Sequence, residues 1–356
     1  MQLKWNYFEI DKVTIPLIAP RNSENGIHDR CCFLKHHGIP YYNPFFRING
    51  TPAQYNLNMS RVTLKEKLIF VLTAIFAASM VFFTENTENG TKVAIIIWLN
   101  SIVPVLLPFF IFSDFIKRTG MLQILPPQTY SFAAAFLSGY PTGAKVVADY
   151  LHAKEITKQE GKYILSYSLV TGPAFIIFTI GEFIGSREGA VIVAIAHYSA
   201  AFLNSLAYRV PLQKRRKTDT SVTANYLSGF TNAIFEGFRA MTIILAYLMF
   251  FNILINMAGE AGLWRGIGNE TLSAVLTGLM EMTVGINAIG MCYISMKFKI
   301  ILAAFIVSFG GLSVIGQSAS IASGSGITFS DVVKIKISHG LWAGIVATLI
   351  MNFVVI

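Results

Sequence analysis

Glu281 stands between Leu279, Met280, Met282 and Val284, in a stretch otherwise suited to hydrocarbon. An ionised carboxylate in such a place costs several kcal/mol unless it is paired or hydrated. Its chemistry is that of a proton or cation site, or of an acceptor for a substrate donor. The structural alternative is a carboxyl hydrogen-bonded across helices. Thr283 and Asn287 follow it, and Gly310, Gly311, Ser313, Gln317 and Ser318 place small and polar groups in the next apolar run. These side chains can donate to substrate oxygens or bond neighbouring helices.

A matching pair of interruptions lies earlier, at Ser138-Gly139-Tyr140-Pro141-Thr142-Gly143 and at Thr171-Gly172-Pro173. Broken backbone in hydrocarbon leaves N–H and C=O groups without partners, so it persists only where protein or a water-filled cavity satisfies them. Breaks at corresponding places in two halves point to a transporter binding site. Unwinding at Thr171 and Gly172 would free N–H groups for an anion and carbonyls for a cation; small residues equally let helices pack closely. The substrate-binding set read from the chain is Ser138, Gly139, Thr142, Gly143, Thr171, Gly172, Glu281, Thr283, Asn287, Gly310, Gly311, Ser313 and Gln317. Lys145 closes the first break and reads as a snorkelling lysine that could also attract an anion at the inner mouth. Glu236 and Arg239 are spaced as a structural i, i+3 pair, and His197 and His339 as packing residues.

The elements that must position these groups are membrane spans. Of 356 residues, 54% are hydrophobic and 13% charged, and the mean hydropathy is +0.56, which places the chain among polytopic membrane proteins. A span of roughly 30 Å needs about 20 apolar residues. Such runs lie at 68–83 (short), 93–116, 163–183, 189–209, 240–258, 298–321 and 335–356, with interrupted stretches at 129–144 and 271–293. Pro104 and Pro108 share one helix face and bend the second run. Glu85 to Gly90 reads as a short acidic outer loop, 145–162 as an amphipathic helix at the inner surface, and Ser323 to Gly326 as a connector.

Residues 1–58 read as a polar extension holding His28, His36 and His37, disordered or preceding a true start at Met59; no signal peptide is evident. A first span and outer loop occupy 59–92, one half 93–210, a basic loop 211–224 and a second half 225–356. The expected fold is an all-α inverted-repeat transporter-like bundle with two re-entrant hairpins and broken helices. The stretch 271–293 either enters and leaves on one side or crosses fully; the first choice inverts the topology between halves.

The net charge of +9 does not signal nucleic-acid binding, because the basic residues fall at span ends. Lys65, Lys67, Lys117, Arg118, Arg209 and the run Lys214 to Lys217 fall on the cytoplasmic side by the positive-inside rule; a re-entrant 271–293 adds Lys334 and Lys336 to that side and leaves Lys297 and Lys299 outside, whereas a full crossing there reverses both assignments. Trp264 suits the interface. Cys31, Cys32 and Cys292 build neither a disulfide framework nor a zinc site. No nucleophile elbow or paired aspartates appear, so the chain does not read as an enzyme. The partners expected are a small anionic solute and the lipid bilayer, with homo-oligomers left open. No cofactor is expected beyond a coupling proton or sodium ion.

Several ordered motifs carry a resemblance. They are Val103-Pro104 through Leu107-Pro108-Phe109-Phe110, Ser138 to Lys145, Ser168 to Pro173, Gly278 to Thr283, and Phe309-Gly310-Gly311-Leu312-Ser313 to Gln317. Across about 90–350 the chain resembles the YlbJ-type sporulation integral membrane proteins, which carry a nucleoside-recognition or gate domain. The resemblance implies an architecture similar to concentrative nucleoside transporters, in a mother-cell or forespore membrane of an endospore-forming bacterium. It further implies passage of dipicolinate or a similar dicarboxylate by alternating access. A nucleoside transporter and a non-transporting sporulation scaffold or signalling protein are the alternatives. Residues 1–58 do not align with the pattern.

Overall fold

Backbone surrounded by apolar side chains must close its hydrogen bonds within its own segment, and every regular element among the described residues is a helix. The computed structural model describes residues 63–119, 125–211, 226–263 and 267–354, apart from the side chains of Lys65 and Lys117. The expectations for 1–58, Met59, the basic run Lys214 to Lys217, the inter-half boundary and Trp264 lie outside the described residues.

Helix α1 (Leu64–Phe82) opens on a capping box: the Thr63 hydroxyl accepts from Glu66 N–H, and the Glu66 carboxylate accepts from Thr63 N–H. One residue later α2 (Thr84–Ile97) begins. The acidic segment Glu85 to Gly90, expected as a loop, is therefore the start of a helix. Glu88 and Lys92 pair at 2.5 Å one turn apart, and Gly90 lets α2 approach the backbone of Ile253. A wider π-helical turn, Trp98–Ile102, leads into α3 (Val103–Arg118). It lies just before Pro104, whose missing N–H and bulky ring an ordinary turn does not accommodate.

Next come α4 (Pro127–Ser138), α5 (Thr142–His152) and α6 (Lys158–Ser168), then a second π-helical turn, Phe175–Ile180, running into α7 (Gly181–Ile184). The expected amphipathic surface helix over 145–162 is instead divided between α5 and α6. Lys154 turns the chain with φ 56°, and a second capping box, Thr157 with Glu160, restarts it. The span expected at 163–183 is likewise two pieces separated by residues 169–172.

The remaining helices are α8 (Arg187–Ala207), α9 (Tyr226–Glu260), α10 (Glu270–Met280), α11 (Met282–Met291), α12 (Met296–Phe309), α13 (Gly311–Ile321) and α14 (Phe329–Phe353). α9 runs without a break through the point near 240 where a span was expected to begin. Among the described residues five stretches are long and apolar enough to cross a membrane: Thr84–Ile116, Arg187–Ala207, Tyr226–Glu260, Met296–Ile321 and Phe329–Phe353. Their outward faces keep large apolar side chains exposed, such as Phe202, Leu206 and Leu349.

Two helix groups organise the interior. α8, α12 and α14 pack on one another with α6 against α8, while α2 and α3 pack on α9. Between them sit two hairpins, α4 with α5 and α10 with α11. The second is closed so tightly that a β-carbon on Gly285 would strike the backbone of Gly278. Residues 271–293 therefore fold back on themselves rather than forming one uninterrupted helix.

Candidate functional site

Each hairpin tip meets a helix break. Gly139, at the tip between α4 and α5, has φ 77°, and a β-carbon there would lie 2.9 Å from the amide nitrogen of Gly172. Gly143 packs against the carbonyl of Ser168 with no room for a side chain. At the second pair, Gly310 and Gly311 turn the chain between α12 and α13 with φ 83° and 70°. A β-carbon on Gly311 would lie 3.0 Å from the nitrogen of Met282 and 3.1 Å from the carbonyl of Met280. Only glycine combines this backbone geometry with so close an approach.

The four features converge on one narrow cavity of about 40 Å³, large enough for a few waters. Its polar lining is Thr171 from the first break, Glu281 and Thr283 from the second tip, and Ser313 and Gln317 from α13. Tyr140, Phe175, Met282 and Val314 add an apolar wall, together with Ile102, Leu106 of α3, and Ile244 and Leu248 of α9. A solute larger than water requires these walls to part.

Glu281 is 3% exposed. Its extended backbone is the single-residue link between α10 and α11, and its carboxylate accepts from Val284 N–H at 2.8 Å, capping α11. It thus has a structural bond along its own chain and also faces the cavity. Gln317 donates to the Ser313 hydroxyl at 3.2 Å.

Of the thirteen residues singled out in the sequence, Thr171, Glu281, Thr283, Ser313 and Gln317 come together at the cavity. The other eight do not line it. Ser138 donates back to the Ala134 carbonyl at 3.0 Å, Gly139, Gly143, Gly172 and Gly311 serve close backbone approach, and Gly310 supplies a left-handed turn. The Thr142 hydroxyl is buried without a partner, and Asn287 is half-buried on α11.

The first break is less open than expected. Thr171 N–H donates to Nε2 of His197 at 3.1 Å, and the Thr171 carbonyl accepts from Tyr198 at 2.8 Å. His197 Nδ1 then carries the ring proton and donates to Ser308 at 2.8 Å. Asn204 donates to the Ser166 carbonyl at 2.9 Å and to that of Ile335 at 3.2 Å. The expectation that Thr171 presents a free N–H to an anion is therefore corrected: α8 has already claimed it. His197 and His339 do pack, with ring centroids 4.8 Å apart, but His339 Nε2 also donates to the His197 carbonyl at 2.9 Å.

Two lysines depart from the sequence reading. Lys336, expected at the cytoplasmic face, is 1% exposed. It donates to the Tyr140 hydroxyl and, at 3.0 Å, to the Leu169 carbonyl. Lys145 is not a free snorkelling side chain: it pairs at 2.9 Å with Glu236, whose contact with Arg239 is longer at 3.7 Å. Tyr140 and Lys336 are the site residues that the sequence reading missed. The signal for Lys336 was its place on the stripe Val332, Ile335, His339, Ala343 and Ala347, all buried.

These features define an integral membrane protein whose apolar helices enclose paired hairpins, helix breaks and a polar cavity. The chain is similar to the sporulation integral membrane protein YlbJ of Bacillus subtilis (strain 168), with 21% identity over 346 residues, 83% of this chain and 84% of that protein. A likeness of that extent supports the family-level relation suggested by the motifs. No protein-family profile matches the chain, and no solved structure matches it at a significant level.

Proposed function

We propose that this protein acts in a sporulation membrane as a secondary transporter of a small organic anion, by alternating access around the cavity. The observation that carries the reading is the convergence of two hairpin tips and two breaks on one site lined by Thr171, Glu281, Thr283, Ser313 and Gln317. A non-transporting scaffold has no need of polar groups gathered there. Each hairpin enters and leaves on one face of the bilayer, and the two halves are inverted relative to each other.

The amino ends of α11 and α13 are directed to the site, where their positive dipole ends favour an anion. Ser313, Gln317 and the hydroxyls of Thr171 and Thr283 supply donors. Glu281 takes up the coupling proton, becoming neutral when the anion is bound. A dipicolinate-like dicarboxylate is the substrate implied by the family resemblance and by the relative's role in sporulation.

The test is uptake of labelled pyridine-2,6-dicarboxylate into liposomes holding the full chain, under an imposed proton or sodium gradient. Uptake above that of protein-free liposomes is expected, with loss in Glu281→Gln and strong reduction in Ser313→Ala. Flux equal to the empty liposomes under both gradients, from folded protein, overturns the proposal.

A further inference from the structure

Lys336 has an environment that the fold alone does not require. Its Nζ is buried on α14, lies 4.3 Å from the centroid of the Tyr140 ring, and donates to the Tyr140 hydroxyl and the Leu169 carbonyl. Its stem passes Gly310, where a β-carbon would be 3.4 Å from Lys336 Cε. One side chain thus touches the first tip and both breaks. Among the described residues no carboxylate pairs with it, and the cavity's carboxylate, Glu281, bonds Val284 instead.

Serving the Leu169 carbonyl, just past the end of α6, does not demand a charge. Carbonyls on either side of it are served by neutral donors: Ser166 by the Asn204 amide and Thr171 by the Tyr198 phenol. A buried ammonium without a counter-ion is costly where an amide would suffice. The Tyr140 ring beside this Nζ also lines the cavity.

We propose that Lys336 is the basic group that selects anionic solutes, carrying its positive charge when an anion occupies the cavity and acting through Tyr140. A carboxylate seated in the cavity beside Tyr140 supplies a counter-charge that Glu281, bonded to Val284 N–H, does not bring to Lys336, and in these apolar surroundings the attraction is weakly screened. The inference rests on the reading of the cavity as a transport site. It assigns charge selection to α14, whereas Thr171, Thr283, Ser313 and Gln317 recognise hydrogen-bonding shape.

The experiment is equilibrium binding to the purified full chain in lipid nanodiscs, with pyridine-2,6-dicarboxylate and its uncharged analogue pyridine-2,6-dicarboxamide as probes. The wild type should favour the dicarboxylate by about tenfold or more. Lys336→Gln keeps a donor for Leu169, and Lys336→Met replaces the charge with an apolar side chain of similar length. Either variant that elutes as a single species should lose the preference while keeping its affinity for the diamide. A folded variant that keeps the preference overturns the assignment, as does a wild type that binds both probes alike. In that second case the site reading survives, whereas a wild type that binds neither probe overturns both.

Discussion

The backbone N–H of Thr171 donates to Nε2 of His197 at 3.1 Å, so the gap after α6 is closed by a side chain from α8. Because Nε2 accepts, Nδ1 holds the ring proton and passes a bond of 2.8 Å to Ser308, close to the second break at Gly310. One neutral imidazole thereby joins the two interruptions. It does so at 0% exposure, where water offers no replacement partner.

His197→Phe keeps a ring of similar size but removes both nitrogens. Thr171 N–H and the Ser308 hydroxyl are then buried without partners, at a cost of about 1–3 kcal/mol each. A clear fall in the thermal midpoint of the purified protein is expected; an unchanged midpoint would show that the break relaxes onto other groups.

Two substitutions at Glu281 separate capping from coupling. Glu281→Ala removes the acceptor for Val284 N–H and should destabilise the protein by about 1 kcal/mol. Glu281→Gln retains an acceptor oxygen, so its midpoint should stay near that of the wild type while transport or its pH response disappears. Equal stability loss in both variants would argue that the carboxylate matters only to the fold.

Gly285→Ala forces a methyl group onto the backbone of Gly278 and should cost about 1–3 kcal/mol or more by prising α10 from α11. Gly344→Ala is the control. Its β-carbon meets Phe305 at an ordinary 3.7 Å within a helix, so a neutral or slightly stabilising effect of about 0–1 kcal/mol is expected. Thermal melts of the two variants should diverge in opposite directions or differ at least in size.

The Lys145–Glu236 pair links the first hairpin to α9 at 2.9 Å, with the side chains 40% and 31% exposed. Water and salt screen such a pair, and a double-mutant cycle should return a coupling below about 1 kcal/mol. The coupling should shrink further in high salt. A much larger value would mean that the pair is enclosed by lipid.

Glycine and proline made the breaks at Gly139, Thr171 to Pro173 and Gly310 legible, and the carboxylate in an apolar run marked Glu281. Five of the lining residues followed from that pattern. Lys336 did not, because assigning lysines by position along a helix ignores the face they occupy. The turn between α5 and α6 was equally hidden: Lys154 adopts φ 56° without a glycine to advertise it. Polarity misled at Glu85 to Gly90, where a charged pair and close packing of Gly90 sustain a helix. The π-helical turn at Thr179, whose hydroxyl donates to Ser101 at 3.4 Å, leaves no trace in residue type.

Because His197 and Tyr198 have already taken both main-chain groups of Thr171, a visitor to the cavity is greeted unequally by its two sides. The earlier side can offer it only a hydroxyl and an aromatic face. The later side, where α13 starts without a side-chain cap, still has unclaimed amides at its first turn. If the cavity takes the anion proposed for it, the oxygens of that solute would therefore be read chiefly by the second half of the chain.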